Sequence, residues 1–414
     1  MKKLIGIALS CGLLSVATIA SAATPPKDSF GDTYVKVKTL NGSTFSAAGP
    51  YAVGVDTVTV SVTVPSPSGV TYTTKVDIWY PAAKRGTTKS SYNVGTWLPG
   101  FLQGLLTKDD ASRANAAKAT YVTNAYSKAT PAAGKFPLVL FSHGYAGFRD
   151  QSTFLTTAIA SWGYIVAAPD SPSRNLTQVV NLLAAIPAVT SNTNADVYDL
   201  QAVMAAAKAK KFGVASTHVD AARVIAVGHS AGGSAVERLA SMETSLNAKK
   251  STLKGFIGLA GASIGAWTQN LSAPFTTVPQ MPGLLIAGQI DNVVSVSAME
   301  SAYSSLTGSR RLIELTHAGH QAFSDLCQID PGEGGLVALA NALNITLPSN
   351  LSVLATDGCF SPAEPATTSW LPIQQAVIAQ IRYIFGADKT TAGLTGVSAS
   401  YPQSVARNTT GSLS

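Results

Sequence analysis

The sequence predicts an α/β protein with a mostly parallel central sheet and helices on both faces. Short, continuous apolar runs recur from Phe136 onward, as expected for strands that are buried on both sides. Stretches with helical patterning separate these runs, and such alternation is typical of parallel sheets. The 414 residues are 46% hydrophobic and 12% charged, which is enough apolar material for one large domain.

Two strands are predicted before this alternating region. Residues 53–64 alternate apolar and polar side chains, and residues 76–80 form a second run that stops at Pro81. Residues 84–134 are rich in Ser, Thr, Lys and Ala and contain one apolar island at 97–102. We interpret this segment as an insertion and as a candidate cap over the functional site.

Strands and helices then alternate to the end of the domain. Strands are predicted at 137–141, 164–168, 223–227, 256–260, 284–287 and 312–315. Helices are predicted at 152–162, at 195–210, after Ser230, and at about 372–385. In the last helix Pro372 suits the first turn and Gly386 the end. The Thr/Ser/Gly-rich residues 389–414 are expected to form a flexible tail.

The N-terminus predicts export. Lys2 and Lys3 precede an apolar stretch, residues 4–19, and Ala20-Ser21-Ala22 supplies a small-residue cleavage pattern. A membrane anchor is the alternative, but the stretch is short for a span. A lipoprotein would need a better lipobox before Cys11. We therefore expect a signal peptide at 1–22, a single domain at 23–388, and a periplasmic or extracellular location.

Charge and cysteine content narrow the class further. Removal of the leader lowers the formal net charge from +7 to +5 without leaving a basic cluster, so nucleic-acid binding has no support. Cys327 and Cys359 would remain, and in an oxidising compartment this pair predicts one disulfide, with two buried thiols as the alternative. No zinc-ligand spacing and no P-loop lysine occur, so we expect neither a metal nor a cofactor.

The strand at 223–227 leads into Gly228-His229-Ser230-Ala231-Gly232. This is a G-x-S-x-G pattern in its strand–turn–helix context, where a strained turn exposes a nucleophilic serine. The next helix directs its N-terminus at the site and favours developing negative charge. Ser230 is the predicted nucleophile, and a purely structural turn is the alternative.

A serine nucleophile needs a base, and the base needs an orienting acid. Of the five histidines, His317 and His320 lie on the loop after the last predicted strand, where this fold places its base. Asp291 follows the strand at 284–287 and is the favoured acid. Asp170 and Asp325 are the competing carboxylates, each also explicable as a turn or cap residue.

Two backbone amides are expected to bind the oxyanion. Ala231 N–H is one of them, since it directly follows the nucleophile. The other should come from the loop 142–147, where Gly144 lets the backbone turn inward and Tyr145 supplies the N–H group. The Tyr145 ring is also a candidate substrate contact, as is Trp267 in the loop after residue 260, although a packing tryptophan is equally compatible.

The chain resembles α/β-hydrolases of the platelet-activating-factor acetylhydrolase-like and dienelactone-hydrolase-related branch, and shares features with bacterial lipases and cutinase-like polyester hydrolases. The segments that carry the resemblance are GPYAVGV (49–55), VDIWYPA (76–82), FSHGYAGFRDQSTFLTTAIASWGYIVAAPD (141–170), VGHSAGG (227–233), GQIDNVVSV (288–296) and HAGHQAFSDLC (317–327). The G-H-Q-x-F match implies that His320, rather than His317, is the base. A disulfide between Cys327 and Cys359 would brace its loop. The lengths of 84–134 and 328–369 depart from compact relatives, and both segments are candidates to roof the site.

The resemblance implies an α/β-hydrolase fold and a secreted serine carboxylic ester hydrolase that acts on a small-molecule, lipid or polymer ester. A lipase or cutinase-like polyester hydrolase is the first alternative, and an amidase or peptidase is less favoured. From another class, a catalytically silent α/β-hydrolase used as a binding module is the rival. It is disfavoured because this chain keeps every candidate triad member.

Overall fold

One eleven-stranded sheet organises the computed structural model, which describes residues 34–65, 69–190, 192, 194–247, 250–261, 277–331 and 335–411. The strands are β1 Ala52–Thr63, β2 Thr71–Ala82, β3 Lys89–Asn93, β4 Thr120–Ser127, β5 Phe136–Ser142, β6 Ile165–Pro169, β7 Val219–His229, β8 Leu253–Leu259, β9 Gly283–Gly288, β10 Arg310–Leu315 and β11 Val405–Thr410. The helices are α1 Gly100–Leu106, α2 Asp110–Ala117, α3 Thr153–Ser161, α4 Leu176–Leu183, α5 Ala195–Lys208, α6 Ala231–Asn247, α7 Val296–Ser305, α8 Gly335–Ala342, α9 Ser349–Thr356, α10 Ala366–Ile384, α11 Ala392–Thr395 and α12 Val397–Ser400.

The strand order is β11-β10-β9-β8-β7-β5-β6-β2-β1-β4-β3. The six strands from β6 to β10 in this order are parallel, whereas β2 and β11 pair antiparallel at the two sides of that block. Parallel strands end at a common edge of the sheet, so the loops that follow β5, β7, β9 and β10 converge there. The predicted α/β fold class is confirmed.

The apolar runs are strands because both faces of the sheet are covered. In β5, Val139 and Phe141 pack into a cluster with α3 and α10, whereas Leu138 and Leu140 pack into a second cluster with α5 and α6. Successive strand side chains point to opposite faces, so a strand buried on both faces must be apolar at every position.

The insertion at 84–134 has a mixed role. Its two ends form β3 and β4, which extend the sheet beyond β1, with β4 parallel to β1 and β3 antiparallel to β4. The middle part carries α1 and α2, and Trp97, Leu98 and Leu102 join a third apolar cluster with Leu176 and Leu339. The insertion is therefore partly sheet rather than cap alone.

Two expectations about the C-terminus are wrong. Helix α10 begins at Ala366, so Pro372 lies inside the helix rather than in its first turn, while Gly386 at φ +71° does end it. The segment expected to be a flexible tail forms α11, α12 and β11 up to residue 410, because β11 pairs with β10 from Arg311 to Leu315. A polar composition did not reveal this long-range pairing.

The predicted signal peptide at 1–22 lies outside the described residues. Within the described part, none of the helices has the length and apolar character needed to cross a bilayer.

Burial sets the protonation of several carboxyls. Asp199 on α5 accepts a hydrogen bond from the Tyr72 hydroxyl on β2 at 2.7 Å, and Asp325 accepts one from Thr153 N–H at the same distance. Loss of solvation raises the pKa of Asp199 and of Asp325 to about 7, and that of Asp170 to about 6.

The raised pKa values of these three carboxyls predict that their contribution to the stability of the fold falls as pH rises. Their folded-state pKa values lie above the ordinary value of 3.8, so their contribution is complete below about pH 4 and is lost as pH rises through 6 to 7. Burial lowers the pKa of His143 and of His229, so these two residues act in the opposite direction below about pH 6.5, and the test compares a variant with the wild type. In calorimetry at constant ionic strength, the Tm of Asp199→Asn relative to wild type should be higher at pH 8 than at pH 5, whereas Asp110→Asn, with a 98% exposed side chain, should show no such change. A relative Tm of Asp199→Asn that does not depend on pH would contradict the assignment.

The C-terminal segment predicts a second effect on stability. Arg311 is fully buried and donates to Leu394 O at 2.8 Å and Asn408 Oδ1 at 3.2 Å, both within the segment. Deletion of 392–414 would remove these acceptors and should lower the free energy of unfolding by about 3 kcal/mol or more, measured by urea denaturation. Arg311→Met in the shortened chain should recover part of the loss. An unchanged free energy after deletion would show that the segment is dispensable.

Candidate active site

Ser230 occupies a sharp turn between β7 and α6. Its φ of +56° lies in the left-handed region, which costs a non-glycine residue about 1–3 kcal/mol. Close packing holds the turn: a Cβ on Gly232 would lie 2.0 Å from Ser142 O, and one on Gly228 would lie 2.1 Å from Gly232 O. Ser230 N–H also donates to Leu259 O at 2.8 Å. The turn therefore fixes the hydroxyl at the edge of the sheet where β7 ends.

The predicted nucleophile, base and acid lie in one hydrogen-bonded row. His320 Nε2 is 2.9 Å from Ser230 Oγ, and His320 Nδ1 is 2.9 Å from Asp291 Oδ2. The side chains of His320 and Asp291 are fully buried, while Ser230 keeps 7% of its surface exposed. With Nδ1–H donating to the carboxylate, Nε2 is left free to accept the serine proton.

Backbone amides hold the Asp291 carboxylate. The oxygen that does not contact His320 accepts from Val293 N–H at 2.8 Å and from Val294 N–H at 2.7 Å. These bonds hold the carboxylate in place and leave Oδ2 for the imidazole.

Asp357 is a residue of the site that sequence reasoning missed. Its carboxylate accepts from His320 N–H at 2.7 Å and from Asn292 N–H at 3.2 Å, and its carbonyl accepts from Gln321 N–H at 2.7 Å. It thereby joins the loop that carries the base to the loop that carries the acid. The available signal was its position, two residues before Cys359.

A disulfide between Cys327 and Cys359 is present, with a Cα–Cα distance of 4.9 Å. It connects the end of the base-bearing loop to the turn after α9. Asp357 lies within that turn, so the covalent bond and the Asp357 hydrogen bonds secure the same loop from two sides.

The loop after β5 presents a free donor toward the site. Tyr145 N–H has no hydrogen-bond acceptor among the described residues, whereas Gly144 N–H donates to Gln151 Oε1 at 3.1 Å. Arg174 holds this loop through Ser142 Oγ at 2.8 Å and Gly144 O at 3.1 Å. Ala231 is the first residue of helix α6 and directly follows Ser230, so its N–H lies at the N-terminus of that helix. These are the two donors predicted for the oxyanion.

The other histidines serve packing rather than proton transfer from Ser230. His229 Nδ1 accepts from Gln151 Nε2 at 2.7 Å, and its Nε2–H donates to His320 O at 3.1 Å. Burial lowers the pKa of His229, and likewise of His143, well below its usual range, so both rings stay neutral. His317 is exposed, and no contact joins it to Ser230 in the described part of the chain.

The two competing carboxylates, Asp170 and Asp325, form their hydrogen bonds with residues other than His320. Asp325 accepts from Thr153 N–H and Phe154 N–H and so caps the first turn of α3. Asp170 accepts from Trp97 Nε1–H at 2.9 Å and pairs with Arg149 at 3.1 Å. Neither reaches His320, which leaves Asp291 as the partner of the base.

The site opens into a narrow cleft of about 10 Å³. Ser230, His320, Gln321 and Tyr145 lie on its walls, together with Ala146, Leu326, Leu336 and Leu354. The Tyr145 ring is 44% exposed at the rim, whereas Trp267 lies outside the described residues. Among the described residues, no cluster of His, Cys, Asp and Glu is placed to hold a metal ion.

Comparisons with known proteins agree with this geometry at the level of fold and family. Residues 39–180, about a third of the chain, match the family described as platelet-activating factor acetylhydrolase, isoform II, and this match ends before Ser230. No curated protein matches the chain. Among solved structures, a ferulic acid esterase from Streptomyces cinnamoneus is similar, with a TM-score of 0.58 and 19% identity over 89% of this chain and 99% of that one.

The similarity to the esterase structure, at 19% identity, concerns the fold, whereas the family match concerns the segment that holds the loop after β5. The sheet order, the serine turn and this match all agree with the α/β-hydrolase fold that the sequence predicts. The chain shares the fold of that esterase structure and is similar over residues 39–180 to the platelet-activating factor acetylhydrolase family.

Proposed function

We propose that the protein is an exported serine carboxylic ester hydrolase that works through an acyl-enzyme. The observation that carries the proposal is the continuous row of Ser230, His320 and Asp291, with 2.9 Å separations and with the Tyr145 and Ala231 residues beside the serine. A nucleophile, a base, an orienting acid and oxyanion donors are the parts that acyl transfer requires.

In the first half-reaction, Ser230 Oγ attacks the ester carbonyl while His320 Nε2 takes the hydroxyl proton. The Tyr145 and Ala231 amides bind the negative oxygen of the tetrahedral intermediate, and Asp291 stabilises the imidazolium. His320 then gives its proton to the leaving alkoxide as the carbon–oxygen bond breaks. Water repeats the sequence on the acyl-enzyme, with His320 as base, and releases the acid and the serine.

Export is supported by two features of the chain. The basic and apolar N-terminal residues with a small-residue cleavage pattern are typical of a signal peptide. The disulfide is typical of an oxidising compartment. A periplasmic or extracellular location fits both.

Lipid ester hydrolysis is the second candidate within this class. It is favoured by one observation, a large apolar cavity that shares walls with the cleft over Ser230.

Ser230→Ala should lower kcat/KM for p-nitrophenyl acetate by three to six orders of magnitude, roughly the range seen when a triad serine is removed. The fold should be unaffected, so Tm should match the wild type. Ser304→Ala, on the exposed face of α7, is the matched control and should retain full activity. A fluorophosphonate probe should label the wild type and the control at Ser230. Labelling or turnover by Ser230→Ala would overturn the assignment.

Asp357→Ala should lower kcat by about 10- to 100-fold with little change in KM, because the amides of His320 and Asn292 lose their acceptor and the base shifts. Asp357→Asn keeps one acceptor oxygen and should recover part of kcat. Asp110→Ala, on the exposed start of α2, is the control. If kcat of Asp357→Ala stays at the wild-type value while only Tm falls, Asp357 has a purely structural role.

A further inference from the structure

An apolar cavity of about 260 Å³ lies beside the site. Its walls come from α1, α4, α8 and α9 and from the segments that join them, and every lining side chain is Ala, Val, Leu, Ile or Phe. No charged or hydrogen-bonding side chain of the described residues faces it. Cavities of this size with apolar linings are typical of sites for apolar ligands.

The cavity lies next to the cleft that contains the proposed nucleophile. Ala146, Leu336 and Leu354 line both the cavity and the narrow cleft with Ser230 and His320. Ala146 follows Tyr145, whose amide is a proposed oxyanion donor. A chain attached to a carbonyl bound at Ser230 would enter the cavity beside these three residues.

The cavity also opens to solvent. Leu183 on α4 is 59% exposed and Phe101 on α1 is 53% exposed, although both line the cavity. Apolar side chains at an open rim admit an apolar ligand and leave its far end in contact with water.

The walls are held in place without a ligand. Trp97, beside α1, donates from Nε1 to Asp170 at 2.9 Å, its carbonyl accepts from the Thr177 hydroxyl on α4, and its ring stacks on Phe148 at 4.4 Å. On the other side, the disulfide at Cys359 fixes the end of α9. A preformed cavity loses little ordering entropy on binding.

Resting on the ester hydrolysis proposed above, we propose that this cavity binds an unbranched aliphatic chain of the ester. A single buried water needs roughly 10–15 Å³ of such space, so a volume of about 260 Å³ has room for a chain of many carbons. The substrate class is thus a medium- or long-chain aliphatic ester. A phosphate, a sugar or a phenolic hydroxyl has no partner in the lining and stays outside.

Two series of esters with increasing chain length test the proposal. All concentrations stay below the critical micelle concentration, so that no lipid surface contributes to the measured rate. p-Nitrophenyl esters from acetate to dodecanoate vary the acyl side, and alkyl acetates from methyl to decyl vary the alcohol side. In one of the two series, kcat/KM should rise about two- to fourfold per methylene until the chain fills the cavity, and should then reach a plateau. The series that rises identifies which side of the ester enters the cavity. Methyl ferulate should be a poorer substrate than the octyl-length member.

Two adjacent leucines on α4 give a matched pair of variants. Leu183 lines the cavity and Leu182 does not, although both are exposed, so a larger side chain at either position has room on the surface. Leu183→Trp should lower the ratio of kcat/KM for octanoate over acetate, or the corresponding alcohol ratio, at least tenfold. Leu182→Trp should leave both values unchanged. Val180→Phe, which narrows the cavity from the same helix, should repeat the effect of Leu183→Trp.

The outcomes separate this proposal from the function on which it rests. Serine-dependent acetate hydrolysis with no gain from longer chains, or a gain that Leu183→Trp and Val180→Phe leave intact, overturns the cavity assignment and leaves ester hydrolysis standing. If no ester is hydrolysed, ester hydrolysis fails, and binding of 1-decanol decides the cavity. Calorimetry should then detect binding to the wild type and to Leu182→Trp, and at least tenfold weaker binding to Leu183→Trp. Absence of binding to the wild type would overturn the cavity proposal.

Discussion

The left-handed backbone at Ser230 is the constraint on which the site depends. A strand that continued straight would keep the hydroxyl inside the sheet, whereas the turn at φ +56° brings it out at the sheet edge and starts α6 one residue later. The strain persists because glycines at 228, 232 and 261 let neighbouring backbones approach within distances that a Cβ would forbid. Packing around the turn therefore stabilises a conformation that the serine alone would not adopt.

The remaining parts of the site follow from strand direction. The loops after β5, β7, β9 and β10 leave the same edge of the sheet, so residues up to 175 positions apart in the chain, from Tyr145 to His320, reach one cleft. Four of the six parallel strands each lead into one part of the site: β5 into an amide, β7 into a hydroxyl, β9 into a carboxylate and β10 into an imidazole. Arg174 and Gln151 then set the amide loop, and Asp357 sets the imidazole loop.

The sequence was most informative where burial constrains every position. The strands at β5, β6, β7 and β9 are continuous apolar runs, and the residues that directly follow them could be proposed as site residues from order along the chain. Contacts made by polar residues across long separations could not be predicted. Asp357 carries no motif, β11 consists of polar residues that pair with β10, and Pro372 occupies a helix interior that propensity disfavours. The apolar cavity needs α1, α4, α8 and α9 together, and no one of them signals it alone.

The disulfide links the walls of the apolar cavity to the loop that carries His320. Residues 336–354 supply cavity walls, and the same stretch of chain is closed at one end by the loop with His320 and at the other by Asp357 and Cys359. Shortening or exchanging this stretch would also displace the loop that carries His320, because the Cys327–Cys359 disulfide joins the two segments. The shape of the cavity wall and the position of His320 are therefore coupled through the disulfide. Variants with a new substrate range are more accessible from α1 and α4, because neither helix is joined to the His320 loop in this way.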